Sequence, residues 1–258
     1  MAPPDLQIRP ELVPFLVKYH TSPSDIPSSP DEILKVAQSW ASSFASALSS
    51  GHPDKVLELL VPDVPLWRDL ISLSWDFRTL TGLDAIKSFL AQYLPNAGIT
   101  DVQVSKNAPP MPMHRSDQLG WINAFLTFTS PKGHGTIIAR LIPTRTSAGN
   151  GEIKWLAHGI LMDLDGLKGH PPLLGEFRKQ DPVFGTWEED LAKESKFEGR
   201  EPSVVIIGGS QSGLAIAARL KVLGVDALVV ERHPRIGDSW RNRYGKSNFL
   251  LCMRYQRY

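Results

Sequence analysis

Apolar and polar positions alternate in three different ways along the 258 residues. Over 31–50, Ile33, Val36, Ala37, Trp40, Phe44, Ala47 and Leu48 recur at helical spacing and form one stripe. Ser29 or Asp31 can cap that helix, and Gly51 can end it. Pro53 opens a second, short helix through Leu60, because proline in the first turn sacrifices no hydrogen bond. A third helix follows Gly82, with Ile86, Phe89, Leu90 and Tyr93 inward. After Pro95 the period drops to two. DVQVS at 101–105 alternates, and LGWINAFLTFT at 119–129 puts Ile122, Ala124, Leu126 and Phe128 on one face. SPKGHG at 130–135 predicts a turn, TIIARLI at 136–142 the return strand, and IKWLAHGILM at 153–162 a fourth strand. Three helices followed by four strands predict an α+β domain with an antiparallel sheet curled around a helix layer.

The third pattern starts at Ser203. SVVII is apolar at every position, as in a strand buried on both faces. GGSQSG is a Gly-rich turn, LAIAARLKVLG a helix and DALVVE a second apolar strand, together one βαβ unit of about 30 residues. The predicted organisation is therefore a Pro-rich extended arm over 1–30, an α+β domain over 31–165, a linker with the helix TWEEDLAKESKF over 166–201, a partial βαβ unit over 202–244 and a tail over 245–258. The arm holds seven of the 21 prolines, and its apolar cluster Leu12, Val13, Phe15 and Leu16 can dock it.

Charge and composition narrow the function classes. Lys+Arg number 28 and Asp+Glu 27, so no overall basic character favours nucleic acid. A single cysteine, Cys252, excludes an internal disulfide framework and a cysteine-based zinc site. No apolar run approaches the ~18 residues of a membrane span, and the first residues do not read as a signal peptide. The expectation is a cytoplasmic protein with no membrane or nucleic-acid partner.

The candidate chemistry is concentrated in Gly208-Gly209-Ser210-Gln211-Ser212-Gly213. The hexamer follows an apolar strand and opens a helix, and the acid Glu231 ends the next strand 23 residues after Gly208. Gly208 permits the sharp turn, position 210 the close approach of a pyrophosphate, and Gly213 close packing of helix on strand. Free N–H groups at the helix start attract phosphate, and Glu231 can accept from a ribose hydroxyl. Ser210 stands where the fingerprint has glycine. In the first domain Asp76, Arg78, His114, His134, His158 and Asp163 could line the mouth of a cone holding a small apolar ligand. His158 with an acid nearby would fit proton transfer at a carbon acid. His114 and His134 are expected in loops. Trp67, Arg68, Asp69, Trp75 and Asp76 read as a structural cluster of packed aromatics and paired charges.

The segment VVIIGGSQSGLAIAARLKVLGVDALVVERHPRIGDSWRNRY resembles the start of the FAD domain of flavin-containing monooxygenases, particularly fungal ones. The resemblance aligns Gly208, Ser210 and Gly213 with the FAD pyrophosphate turn, Glu231 with the adenosine ribose acid, and Gly237 and Trp240 with a Gly and a Trp that follow it. LWRDLISLSWDFRTLTGLDAIKSFL at 66–90 and IKWLAHGILMDLDGLKG at 153–169 resemble the NTF2-like (SnoaL-like) domain that often precedes the flavin domain in those proteins. The implied fold is an NTF2-like cone followed by a partial Rossmann-type fragment. The implied activity is FAD- and NADPH-dependent oxygenation of a small-molecule substrate. Family members continue for several hundred residues beyond the position of Tyr244, with a second Gly-rich turn for NADPH and an F-x-G-x-x-x-H motif, neither of which is found here. GKSNFLLCMRYQRY departs from the family and reads as a foreign tail. The first expectation is thus a shortened monooxygenase without intact activity. The alternative is an NTF2-like module that works alone as a small-ligand binder or homodimerises.

Overall fold

The computed structural model describes residues 15–116, 119–145, 151–175, 196–197 and 201–244. The chain divides into two compact units, Met1–Gly169 and His170–Tyr258. The tail over 245–258 and most of the linker helix lie outside the described residues.

The first unit runs α1 (Phe15–Lys18), α2 (Pro30–Ser49), α3 (Pro53–Leu57), β1 (Leu66–Leu70), β2 (Phe77–Thr81), α4 (Leu83–Tyr93), β3 (Thr100–Val104), β4 (Met111–Ser116), β5 (Leu119–Ser130), β6 (Gly133–Thr144) and β7 (Lys154–Leu167). The α2 stripe is buried at Ile33, Ala37, Trp40, Phe44, Ala47 and Leu48, and acidic Asp31 and Glu32 complement the helix dipole at its first turn. Ser29 occupies the N-cap position without a side-chain capping bond. Helix α3 stops at Leu57 and not at Leu60, because Leu60 leaves the helix to bridge Ala157 of β7. Backbone bonds from Val61 N to Ala157 O (3.0 Å) and from Ala157 N to Leu59 O (2.8 Å) hold it there.

The sheet has seven strands in the order β2-β1-β7-β6-β5-β3, with β4 also on β5. All pairs are antiparallel except β1 with β7. The four expected strands are present, and β1, β2 and β4 are additional. Their absence from the sequence reading has a physical cause. The inward positions of β1 are Trp67 and Asp69, so its period-two signal carries a carboxylate on the core face. Strands β2 and β4 are mostly exposed and need no apolar face. The β5–β6 turn is confined to Pro131 and Lys132. Gly133, His134 and Gly135 lie within β6, which corrects their assignment to the turn. A Cβ on Gly135 would come within 2.1 Å of the Asp163 carbonyl and 2.5 Å of the Phe128 ring, so this glycine serves close packing. Register shifts at His134/Gly135 and Arg140/Leu141 bend the long β6–β7 pair. The helices pack on its inner face, where Phe44, Trp67, Ile122, Leu126, Phe128, Ile137 and Met162 form one buried core. The α+β arrangement of helices on a curled, largely antiparallel sheet is the one expected.

The arm differs from expectation where it is described. Residues 1–14 lie outside the described residues, but 15–29 are docked and partly helical. Leu16 and Tyr19 are buried with Val61, Ile142 and Leu156 in a second core. Thr21 Oγ1 donates to the Pro143 carbonyl (2.9 Å), Tyr19 OH donates to Asp63 (2.6 Å), and Arg145 pairs with Asp25 (2.7 Å). Proline density predicted extension, but apolar burial against β6 and β7 decided the conformation.

The second unit holds β8 (Val204–Ile207), α5 (Gln211–Val222), β9 (Ala227–Val230) and α6 (Asp238–Tyr244). Strands β8 and β9 are parallel, with Val204 opposite Ala227 and Ile207 opposite Val230. Among the described residues no helix is long and apolar enough to cross a membrane.

Candidate dinucleotide site

The chain leaves β8 at Gly208 with φ +105°, a conformation that side chains disfavour, and enters α5 at Gln211. Gly208 N donates to Val230 O across the two strands (2.7 Å). A Cβ on Gly213 would sit 1.9 Å from the Gly208 carbonyl oxygen and 3.3 Å from Ile206, so only glycine lets the helix lie this close to the turn. Glu231, the first residue after β9, folds back onto the turn. One carboxylate oxygen accepts from Gly209 N (2.7 Å) and the other from His233 N (3.0 Å). The His233 and Gly209 N–H bonds hold the carboxyl below the usual glutamate range.

Beside Glu231 lies a cavity of ≈ 360 Å³ lined by Ile207, Gly208, Glu231, Arg232, His233 and Ser239, among others. The structure thus brings Gly208 and Glu231 to one cavity. Gly209 is buried against the Glu231 side chain. Ser210 is the N-cap residue of α5, and Gln211 and Ser212 are exposed in its first turn. Gly237 has φ +86° where the chain turns into α6, and Trp240 is exposed; neither lines the cavity. Sequence reasoning missed Arg232, His233 and Ser239. The first two adjoin the acid, and the third lies in RIGDSW, so proximity to matched positions was the available signal.

Register sets Phe77, Leu70, Asp163 and Thr136 side by side across β2, β1, β7 and β6, so Asp76, Arg78, Asp163 and His134 come to one end of the sheet, while His114 lies on β4 and His158 further along β7. Asp76 and Arg78 are exposed and pair with each other (3.3 Å). His114 and His134 sit on strands β4 and β6 and not in loops, both exposed. His158 and Asp163 lie five residues apart on β7, roughly 16 Å along a strand. Burial, then the Arg140 charge, push the His158 pKa down. Burial, then Asp165, push the Asp163 carboxyl up. Three aromatics pack together within the otherwise largely aliphatic core. Trp40 stacks on Phe44 at 4.7 Å, and Phe44 meets Trp67 at 6.2 Å. The expected cluster around Trp67 splits. Trp67 and Asp69 are buried, whereas Arg68, Trp75 and Asp76 face solvent. Asp69 accepts from Ser72 Oγ, Leu73 N (2.9 Å), Ser74 N (2.9 Å) and Ser74 Oγ (2.6 Å), which fixes the loop after β1. Among the described residues no group of three or more His, Cys, Asp or Glu could hold a metal ion.

Comparison with known proteins adds one family assignment for part of the chain. Residues 206–255 match the family described as NAD(P)-binding Rossmann-like domain. Two solved structures are similar to the chain. A domain of unknown function with a cystatin-like fold from Nostoc punctiforme is 13% identical over 67% of this chain and 90% of its own, with a TM-score of 0.36. A protein of the NTF2-like family from Streptomyces avermitilis is 16% identical over 53% of this chain and 98% of its own, with a TM-score of 0.32. No curated protein matches the chain.

Proposed function

We propose that the second unit binds an adenine dinucleotide through its ADP half, as part of an oxidoreductase of the flavin-containing monooxygenase type. The observation that carries the reading is the closed turn. Gly213 packs where a Cβ would strike Gly208, and Glu231 is anchored at the end of the neighbouring parallel strand beside an open cavity. These residues fit the group. Glu231 would accept from the adenosine ribose, and the first turn of α5 would face the pyrophosphate. FAD or NADPH, when bound, supplies the redox chemistry; the residues of this chain bind and orient. The match at 206–255 supports a nucleotide-binding unit, and the monooxygenase class rests on the resemblance of 204–244 to the flavin domain.

Titration of the purified protein with ADP, FAD and NADP⁺ by calorimetry tests the reading. We expect all three to bind, and Glu231→Ala to weaken each by about tenfold, or ~1.4 kcal/mol. No binding of any of the three would overturn it. FAD retained through purification together with NADPH oxidation in air would extend the function from binding to turnover.

For the first unit a second reading is self-association of an NTF2-like module. The exposed Leu66, Trp75 and Phe77 on and beside β1 and β2 favour it, while a cavity of ≈ 580 Å³ lined by Leu34, Gln38, Ser42, Val102 and Val104 leaves room for a small ligand as the competing occupant. Light scattering that reports a monomer at micromolar concentration would exclude it.

A further inference from the structure

The hexamer departs from the dinucleotide fingerprint at one position, Ser210. A glycine there lets phosphate oxygen approach the backbone. A serine adds a Cβ and a hydroxyl and holds the phosphate further out. Left uncompensated, that exchange would weaken the site.

The geometry around Ser210 supplies a compensation. Ser210 has extended backbone angles (φ −91°, ψ −169°) at the N-cap of α5, yet its side chain makes no capping bond. An N-cap serine ordinarily spends its oxygen on an N–H of the first turn, and giving that bond up costs about 1 kcal/mol. Here the Ser210 oxygen accepts instead from Ser239 Oγ at 3.2 Å. Ser239 comes from α6, 29 residues away, and lines the same cavity as Gly208 and Glu231. The first N–H groups of α5 therefore keep their donors uncovered by the cap. The proton of the Ser210 hydroxyl has no acceptor among the described residues, since a hydroxyl that accepts one bond still has one to donate.

We infer that Ser210 and Ser239 form a hydroxyl pair that binds the pyrophosphate of the dinucleotide, with Ser210 donating to a phosphate oxygen and Ser239 orienting it. The pair replaces the direct backbone approach that glycine would permit. A hydroxyl donating to an ionised phosphate makes a charge-assisted bond, stronger than one between neutral groups. Asp238, next to Ser239, is buried and bonded to Arg241 (2.9 Å), which fixes the start of α6 and with it the Ser239 side chain. The assignment rests on the dinucleotide reading above and names the phosphate-binding side chains of that site.

The test compares ADP with adenosine on the full chain and on Ser210→Gly, Ser210→Ala, Ser239→Ala and Ser210→Ala/Ser239→Ala. The expected result is that Ser210→Gly and Ser210→Ala weaken ADP by about tenfold and Ser239→Ala by about threefold, while adenosine affinity is unchanged. The double variant should be no weaker than Ser210→Ala, because Ser239 acts through Ser210. Circular dichroism checks that each variant retains its fold; both serines are half-buried. Unchanged or tighter ADP binding by Ser210→Gly would overturn the hydroxyl pair and leave dinucleotide binding standing. Failure of the unchanged protein to bind ADP would overturn both. Equal loss of ADP and adenosine affinity would assign the serines to the architecture of the turn and overturn their role at the phosphate.

Discussion

Strands β5 and β8 meet the same demand in opposite ways. Along β5 every second residue is buried, and Ile122, Ala124, Leu126 and Phe128 are essentially inaccessible. Along β8 every residue is apolar, but only Ile206 is covered, at 8% exposure, while Ile207 is 92% and Val205 55% exposed. The alternating strand needs one partner layer, and α2 packs against it. The uniformly apolar strand needs two, and α5 covers one face. The first unit is therefore held by its own core, and the second carries an apolar face that nothing among the described residues covers.

That contrast can be broken or sharpened by substitution. Phe44→Ala should cost about 3–5 kcal/mol, because Phe44 is fully buried between Trp40 and Trp67. Urea denaturation followed by tryptophan fluorescence reads it, and a cost below 1 kcal/mol would mean the aromatic core is not what holds the unit. Asp69→Ala should cost about 3 kcal/mol, since it strands the Leu73 and Ser74 amides and two serine hydroxyls in the interior.

Gly213→Ala acts on the other unit. The clash with the Gly208 carbonyl should cost about 1–3 kcal/mol there and weaken ADP binding at least tenfold. Hydrogen exchange should then rise in α5 and β9 and stay unchanged in β5–β7; a rise in both would show that the units fold as one.

Acid should loosen the docked N-terminal segment next. Burial alone would push the Asp25 carboxyl up, but bonds from Arg145 and Ser22 outweigh it and hold it below the usual range. Hydrogen bonds from Lys18 and Tyr19 do the same for Asp63. Both folded values lie below the unfolded ones, so the stabilisation is present above about pH 4 and is lost as pH falls through the folded values. Arg145→Met should remove about 1 kcal/mol at neutral pH and flatten this acid dependence, read as melting temperature against pH. The smallest effect belongs to Ile207→Ser, expected within about 0.5 kcal/mol of neutral. It should still lower binding of a hydrophobic dye, because it removes the most exposed of the large apolar side chains among the described residues.

Much of this was legible along the chain. The α2 stripe, the inward face of β5 and the strand–turn–helix–strand order around Gly208–Gly213 follow from periodicity, because each repeats a pattern that a single neighbouring layer imposes. Strand β1 was not legible, because its inward Asp69 is satisfied by four donors that only the folded loop brings to it. The apolar cluster offered Leu16 as a docking residue, but the part of Tyr19 and the helical turn at Phe15–Lys18 were hidden by prolines whose local preference is weaker than the burial that overrode it. In the site, Gly213 and Glu231 were found by spacing, whereas Ser239 was not, since its partner Ser210 is 29 residues away and no spacing rule joins them.

The sequence by itself determined the two kinds of sheet, the glycine turn and the acid that faces it, because backbone sterics and apolar periodicity act over a few residues. Tertiary structure alone decided where the histidines and acids of the first unit fall along the sheet, that Trp40, Phe44 and Trp67 pack together in its core, and that Ser239 meets Ser210 beside the cavity. Those outcomes depend on which strands become neighbours, and that is settled by burial across the whole chain.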